Sequence, residues 1–369
     1  MKNLAWPNKI IFLINILGAL LLVASYSASY INPKTFWPLS FFGLAYPLIL
    51  LINIAFVIYW AIFRKKQILL SLIIILLGLM NIRSHFQINL KNKNQINDST
   101  NVLKVISYNV RLFDLYEWSS DRNTDNKIFE LIKDSKANII CMQEFMNEGG
   151  GGIISVDSMV NSFKANQLHA EYTDEFGPQS RLGIAIFSSY PIVEKGRIDF
   201  GKSTHNICIY TDINVNGDTI RVYNVHFQSI HFGKEDYITL EKIDNSETDD
   251  KKQWMGIRKI LKKLKIAFSR RSNQAELVAN HIKHSPYKVI LCGDFNDTPG
   301  SYSYHTVAEE LNDAFIEKGT GLCNTYLGLF PFFRIDYILH SKDIECLSYE
   351  RIDKKLSDHY PISSIIKIK

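Results

Sequence analysis

Val289-Ile290-Leu291-Cys292-Gly293-Asp294-Phe295-Asn296 is the stretch on which the reading of this chain turns. Four apolar residues run straight into a glycine, a carboxylate and an amide. The apolar part is too short for a helix and has no polar alternation, so it reads as a strand covered on both faces. Asp294 and Asn296 then stand where that strand ends. Taken alone, they are ordinary turn formers.

The arrangement recurs on both sides of this stretch. Upstream, Val105-Ile106-Ser107-Tyr108-Asn109 ends in an amide, Ile140-Cys141-Met142-Gln143-Glu144 in a carboxylate, and Tyr223-Asn224-Val225-His226 in an imidazole. Downstream, Arg334-Ile335-Asp336-Tyr337 opens a strand and Ser357-Asp358-His359-Tyr360-Pro361 precedes the last one. Six such placements are hard to attribute to turns, because strand ends on one edge of a sheet converge on one site. Carboxylate and amide oxygens are hard ligands that suit Mg²⁺ or Mn²⁺. A phosphoester needs a cation on its oxygens, a base for water, and stabilisation of developing charge, and an acid–histidine pair with further carboxylates supplies these parts.

The segments between these motifs give the fold class. Apolar runs at Val102–Tyr108, Asn138–Met142, Gly183–Phe187, Ile207–Ile213, Thr219–Val225, Lys288–Leu291, Ile335–Leu339 and Pro361–Ile368 read as strands. Helical periodicity falls near Asn126–Ser135, Asn273–Lys283 and Ser301–Leu311. The mixture predicts α/β layers. One segment stands apart: residues 235–250 hold seven acids, and residues 251–271 hold nine bases and no acid. In the basic part Trp254, Ile257, Leu261, Leu264 and Phe268 recur at helical spacing, with Lys259, Lys262, Lys263 and Lys265 largely off that face. The ordinary reading is a packed helix with a solvated basic side. The sharper one is an interfacial helix on anionic lipid, or a lid over a phosphorylated substrate.

Together, Asn109, Gln143-Glu144, Asn224-Val225-His226, Gly293-Asp294-Phe295-Asn296, Arg334-Ile335-Asp336-Tyr337 and Ser357-Asp358-His359 resemble the endonuclease/exonuclease/phosphatase superfamily over roughly Leu103 to Ile368. The resemblance implies a four-layered α/β sandwich with two central mixed sheets and a Mg²⁺-dependent hydrolase of phosphoester bonds, with Mn²⁺ as a substitute. By the same resemblance Glu144 is the main metal ligand, with Asn109 beside it and Asp358 as a further one. Asp294 orients or deprotonates water, and Asn296 holds that water or a phosphate oxygen. His359, paired with Asp336, is the other candidate base, and His226 stabilises the transition state. Arg181 and Asn224 are candidate substrate contacts, although an arginine at such a place more often pairs on the surface. Gly149-Gly150-Gly151-Gly152 predicts a mobile loop beside the metal, and residues 231–271 look like an insertion. The rival class is a membrane-tethered binding module that has lost catalysis. It ranks low because Glu144, Asp294, Asn296, Asp336, Asp358 and His359 are all present.

The N-terminal region is of another kind. Residues 1–100 carry 9 Lys+Arg and one acid, so of the totals of 42 and 37, 33 bases and 36 acids remain for residues 101–369. The formal charge of +5 therefore comes from the N-terminal region, and the rest is near −3 (33 − 36). That balance argues against a broad polyanion-binding face. Ile10–Tyr26 and Thr35–Phe63 are free of charge, and Ile68–Ile82 is a very apolar run of 15 residues. A crossing helix needs about 20 residues. Two or three transmembrane helices are expected, near 10–30, 38–63 and 67–83, preceding the sandwich and held in a lipid bilayer. A polar linker at 84–101 follows. Lys2, Lys9, Arg64, Lys65 and Lys66 place the N-terminus and the second loop in the cytoplasm. The catalytic part is then extracytoplasmic with three spans and cytoplasmic with two. The five cysteines show no paired spacing, and Cys141 and Cys292, which sit inside apolar runs, read as buried small apolar residues. The substrate stays open between nucleic acid, phospholipid and inositol phosphate.

Overall fold

Each of the eight apolar runs forms a strand in the computed structural model, which describes residues 5–89 and 101–368 apart from 117, 119–120, 122, 149–154, 176–179, 202–203, 231–232, 234–235, 237–249 and 329–331. The strands are β1 (Val102–Asn109), β2 (Ile139–Glu148), β3 (Gln167–Glu175), β4 (Ser180–Ser188), β5 (Ile192–Asp199), β6 (Ile207–Val215), β7 (Asp218–His226), β8 (Lys288–Asp294), β9 (Leu311–Asp313), β10 (Asp336–Ser341), β11 (Ile344–Arg351) and β12 (Ile362–Ile368). They form two six-stranded mixed sheets, ordered β11-β12-β1-β2-β4-β3 and β5-β6-β7-β8-β10-β9. β1 runs parallel to β2, and β7 parallel to β8; the other pairings are antiparallel. One buried cluster, including Val105, Ile139, Ile186, Ile209, Val222, Ile290 and Ile338, draws on both sheets. The outer faces are covered by helical segments that supply Ile128 and Ile132 on one side and Ala275 and Val278 on the other. This is the expected layered α/β sandwich.

Contacts divide the chain into two units. One comprises residues 1–78, 228–274 and 300–303; the other comprises 79–227, 275–299 and 304–369. The first holds α1 (Trp6–Ala28), α2 (Pro33–Phe36), α3 (Leu39–Leu44), α4 (Tyr46–Ile62) and α5 (Ile68–Leu77). α1 is the one helix among the described residues that is by itself long and apolar enough to cross a membrane. The second charge-free run is divided into short helices, because Pro38 and Pro47 each sit where a new helix begins. α4 has 17 residues, and α5 meets α6 (Leu79–His85) at a bend of 66°.

The second unit contains α6 and the sandwich. The expected linker begins later than Ser84. Gln87 and Gly321 exchange backbone hydrogen bonds of 3.0 and 2.8 Å, and the Asn89 amide donates to the carbonyls of Glu317 and Gly319. Residues 90–100, the glycine run at 149–152 and most of the acidic segment lie outside the described residues. Residues 250–283 form one helix, here α9, after α7 (Thr124–Ser135) and α8 (Val156–Ser162). Its buried stripe is Ile260, Leu264, Ala267 and Phe268, whereas Trp254 and Leu261 are exposed. The apolar face read from spacing is therefore split between two sides.

Candidate active site

Strand register brings the chemistry together. His226 on β7 pairs with Asp294 on β8, and Asp294 pairs with Asp336 on β10. Residues level with one another on adjacent strands project from the same side of a sheet, so an imidazole and two carboxylates meet at one edge. Gly293 allows this closeness. Its φ is +153°, and a Cβ there would lie 2.1 Å from the Val225 carbonyl oxygen.

The facing sheet supplies the rest. Asn109 and Gln143 are register partners on β1 and β2. A bulge after Met142 and a left-handed Glu144 (φ +49°) bring the next side chain inward too. Gln143 turns into the core and donates to Asn224 Oδ1 at 2.6 Å, while Glu144 Oε1 accepts from Asn109 Nδ2 at 3.2 Å. The same Asn109 nitrogen lies 3.1 Å from Asp294 Oδ2. The Asn109 amide thus holds the two carboxylates of opposite sheets in place. Its oxygen accepts from the Arg111 backbone, and would face them only with the amide turned over.

Asp294 is buried and richly supported. Oδ1 accepts the Asn296 backbone N–H at 2.8 Å, and the Asn296 amide donates to the Phe227 carbonyl at 3.0 Å. Asn296 takes this position in a left-handed conformation, φ +52°, which asparagine tolerates well. His226 Nε2 lies 3.7 Å from Asp294 Oδ2 and 3.9 Å from Glu144 Oε1. His359 Nε2 lies 3.7 Å from the same Asp294 oxygen, and its Nδ1 sits 2.9 Å from Asp336 Oδ2. The Thr325 hydroxyl oxygen accepts the backbone N–H groups of Ile335 and Asp336, fixing the carboxylate that holds His359.

These surroundings move the two key groups apart. Burial, then Asp336, pushes the Asp294 carboxyl up to about 6, against the opposing pull of His359 and His226. Burial would lower the His359 imidazole, but Asp336 and then Asp294 overcome it and lift it well above its ordinary value. Burial, then the neighbouring Asp358, raises Glu144. A carboxyl strained by burial and by a like charge is a fitting place for a divalent cation. The hard oxygens of Glu144 and Asp358, with Asn109, suit Mg²⁺ or Mn²⁺. Asp294, Asp336 and His359 also offer ligand atoms within 4.8 Å of one another. A charged imidazole has no lone pair to give, however, so His359 serves this triad as a cation between two carboxylates and not as a metal ligand.

Two sequence candidates stand elsewhere. Asn224 is fully buried, and its amide donates to the carbonyls of Met142 and Ala185, both at 2.9 Å. It ties β7 to the opposite sheet, with no donor left for a ligand. Arg181 is half exposed and pairs with Glu175 at 3.3 Å. Its described contacts do not include the carboxylate cluster. Sequence reasoning passed over Thr325 and Arg111. Arg111 Nε lies 3.5 Å from Asp358 and its guanidinium stacks on Trp118 at 4.3 Å. The signal available for Arg111 was its position two residues after Asn109; for Thr325 there was none.

Comparison with known proteins follows the same lines. A family model described as the Endonuclease/Exonuclease/phosphatase family matches residues 106–359. A second model, described as a domain of unknown function, matches residues 8–85. No curated protein matches the chain by sequence. Three of the similar solved structures are an endonuclease/exonuclease/phosphatase family protein from Bacteroides thetaiotaomicron (17% identity, 73% of this chain and 95% of that one, TM-score 0.53), the human Nocturnin catalytic domain with bound sulfate anion (16%, 73% and 95%, 0.52), and a mannosyl-6-phosphatase from Bacteroides thetaiotaomicron (18%, 72% and 99%, 0.52). At such identities the likeness is one of fold.

Proposed function

The chain belongs to the endonuclease/exonuclease/phosphatase family, and from that premise we propose that it is a membrane-anchored, divalent-cation-dependent hydrolase of phosphoester bonds, of nuclease or phosphodiesterase type. The observation that carries the proposal is the meeting of Glu144, His226, Asp294, and the Asp336–His359 pair at one edge of the two sheets.

In this reading Asp294 is the general base. Its carboxyl, held near 6, is mostly ionised at neutral pH yet still basic enough to accept a proton. As the water oxygen bonds to phosphorus, its proton passes to Asp294 and the bond to the leaving oxygen breaks. Asn296 fixes the carboxylate's direction through its backbone N–H. His359, kept charged by Asp336, donates from Nε2 to a non-bridging phosphate oxygen, and His226 donates to the charge developing opposite it. Glu144 and Asp358, with Asn109 once its amide is turned over, would hold a Mg²⁺ or Mn²⁺ ion, whose chemistry when bound would be charge stabilisation on the phosphate oxygens.

The anchor reading is supported by an inversion of polarity in the first unit. Leu13, Leu17 and Leu20 of α1 and Leu51 and Ile58 of α4 are 56–61% exposed. The interior instead holds polar groups: Trp60 Nε1 donates to Asn15, Asn15 to Ser71, and Ser71 to Asn53. Apolar outside with satisfied polar groups inside is the pattern of helices in lipid. Three crossings would make the catalytic unit extracytoplasmic, and a protease-protection assay reads this directly.

The function is tested by offering the full-length protein plasmid DNA, RNA, a phospholipid and an inositol phosphate with Mg²⁺. Hydrolysis of one of these, abolished by chelation and restored by the metal, is the expected result. A phospholipid or inositol phosphate as the preferred substrate is the second reading, favoured by the anchor. Absence of both hydrolysis and Mg²⁺ or Mn²⁺ binding would leave the tethered binding module standing in its place.

A further inference from the structure

The first part of α9 is a helix whose exposed side fits neither water nor the middle of a bilayer. Within the first unit its buried stripe, Ile260, Leu264 and Phe268, packs with Phe41 of α3. Phe268 meets the Phe41 ring edge-on, centroids 5.5 Å apart, and Phe41 in turn meets Trp37. Lys265 Nζ lies 5.8 Å from the centre of the Trp37 ring. In the chain just before Trp37, the turn after α1 and the end of α2 expose Tyr30 (66%) and Phe36 (52%). Aromatic residues gathered at the end of an apolar helix mark the level of a membrane–water boundary.

The solvent side of α9 is mixed. Trp254 and Met255 are 66% and 63% exposed, Ile266 is 43% exposed, and between them stand the exposed Arg258, Lys262 and Lys265. Lys263 is engaged with the buried Asp236. A solvated helix has no use for an exposed tryptophan beside methionine and isoleucine, and a crossing helix has none for three bases. A helix lying in the boundary plane uses both: apolar residues enter the acyl edge, and the stems of arginine and lysine lie along it with their charges at phosphate level.

We infer that α9 is an anionic-lipid-binding helix, in which the Trp254–Ile266 face rests on the headgroups of the same bilayer that holds α1 and Arg258, Lys262 and Lys265 contact their phosphates. The inference rests on the proposed anchoring of the first unit. Charge complementarity selects the occupant, because residues 251–271 hold nine bases and no acid. Continuity selects it as well, since the helix packs on the segment that follows α1. A polynucleotide would match the charge, but would leave Trp254, Met255 and Ile266 facing water.

The test uses full-length protein in nanodiscs, with the Trp254 signal taken as the difference between wild type and Trp254→Phe. Brominated phosphatidylglycerol should quench this difference emission more strongly than brominated phosphatidylcholine. The triple variant Arg258→Gln/Lys262→Gln/Lys265→Gln should lose that preference, by about fivefold for each base removed. Equal quenching by the two lipids, no quenching by either, or a preference that survives in the triple variant overturns the inference. So does a Trp254 emission that responds to a single-stranded oligonucleotide and not to anionic lipid. Carbonate extraction keeps the two levels separate: wild type and variant should both stay with the membrane. Release of the wild type would instead defeat the anchoring on which the inference stands.

Discussion

Asp294 and His359 lie 3.7 Å apart and are displaced in a way that defines their parts. The carboxyl is held near 6 and the imidazole well above its ordinary value. A base works ionised, so activity should climb as pH rises through about 6, where Asp294 loses its proton. A charged donor works protonated, so the fall should come only at alkaline pH, beyond the raised value of His359. Asp336→Asn bears on both. Without that carboxylate, burial pulls the imidazole down and the alkaline limb should move toward neutrality, while the acid limb should move to lower pH, because Asp336 also helps hold the Asp294 carboxyl up. A profile of kcat/KM against pH reads this, and an unmoved alkaline limb would reassign His359. Asp294→Asn should lower kcat by about 10²–10⁴-fold. At this scale the sequence was legible where a residue's chemistry and its strand end coincide, as for Glu144, His226, Asp294 and His359. It was silent where a role comes from a backbone turn. Thr325 holds Asp336 through two main-chain N–H groups, and Asn224 spends its amide on two carbonyls of the opposite sheet. Neither job leaves a mark in residue spacing.

Strands show the same division more sharply. The eight runs read as strands are the inner members of the two sheets, and the four that were missed, β3, β5, β9 and β11, are the outer edges. Inner strands are covered on both faces and read as continuous apolar runs. Edge strands face water on one side and carry charge against further pairing; β5 contains Glu194, Lys195, Arg197 and Asp199. Two substitutions test how the inner elements hold the site. Asn224→Ala would take one acceptor from the Gln143 amide, leaving it Ser107 alone, and would remove the donor that serves the carbonyls of Met142 and Ala185, at a cost of about 2–4 kcal/mol. A lowered urea midpoint with unchanged slope is the expected reading, and an unchanged midpoint would deny the tie between sheets. Gly293→Ala would press a Cβ to 2.1 Å from the Val225 oxygen. Stability should fall by a few kcal/mol, about 2–4, and activity with it, because Asp294 is the next residue.

The whole molecule joins a catalytic sandwich to an apolar helical unit, and the sequence showed this chiefly through charge: nine bases and one acid before residue 101, and near balance after it. Three plain spans were not to be had from the same reading, since Pro38 and Pro47 start new helices inside the second run and α5 and α6 meet at 66°. Nor was the membership of residues 228–274 in the first unit visible, because that grouping depends on packing such as Phe268 on Phe41. With Leu13, Leu17 and Leu20 turned outward, the full chain should resist carbonate extraction and need detergent to leave the membrane; its release by carbonate would contradict anchoring. The central claim is that one cluster of strand-end residues hydrolyses phosphoesters, and the full-length protein with Mg²⁺ can be assayed for it beside Glu144→Ala and His359→Ala. The wild type should cleave at least one member of the phosphoester panel, and each variant should lose that activity by about 10²-fold or more. Cleavage by both variants at the wild-type rate would contradict the account.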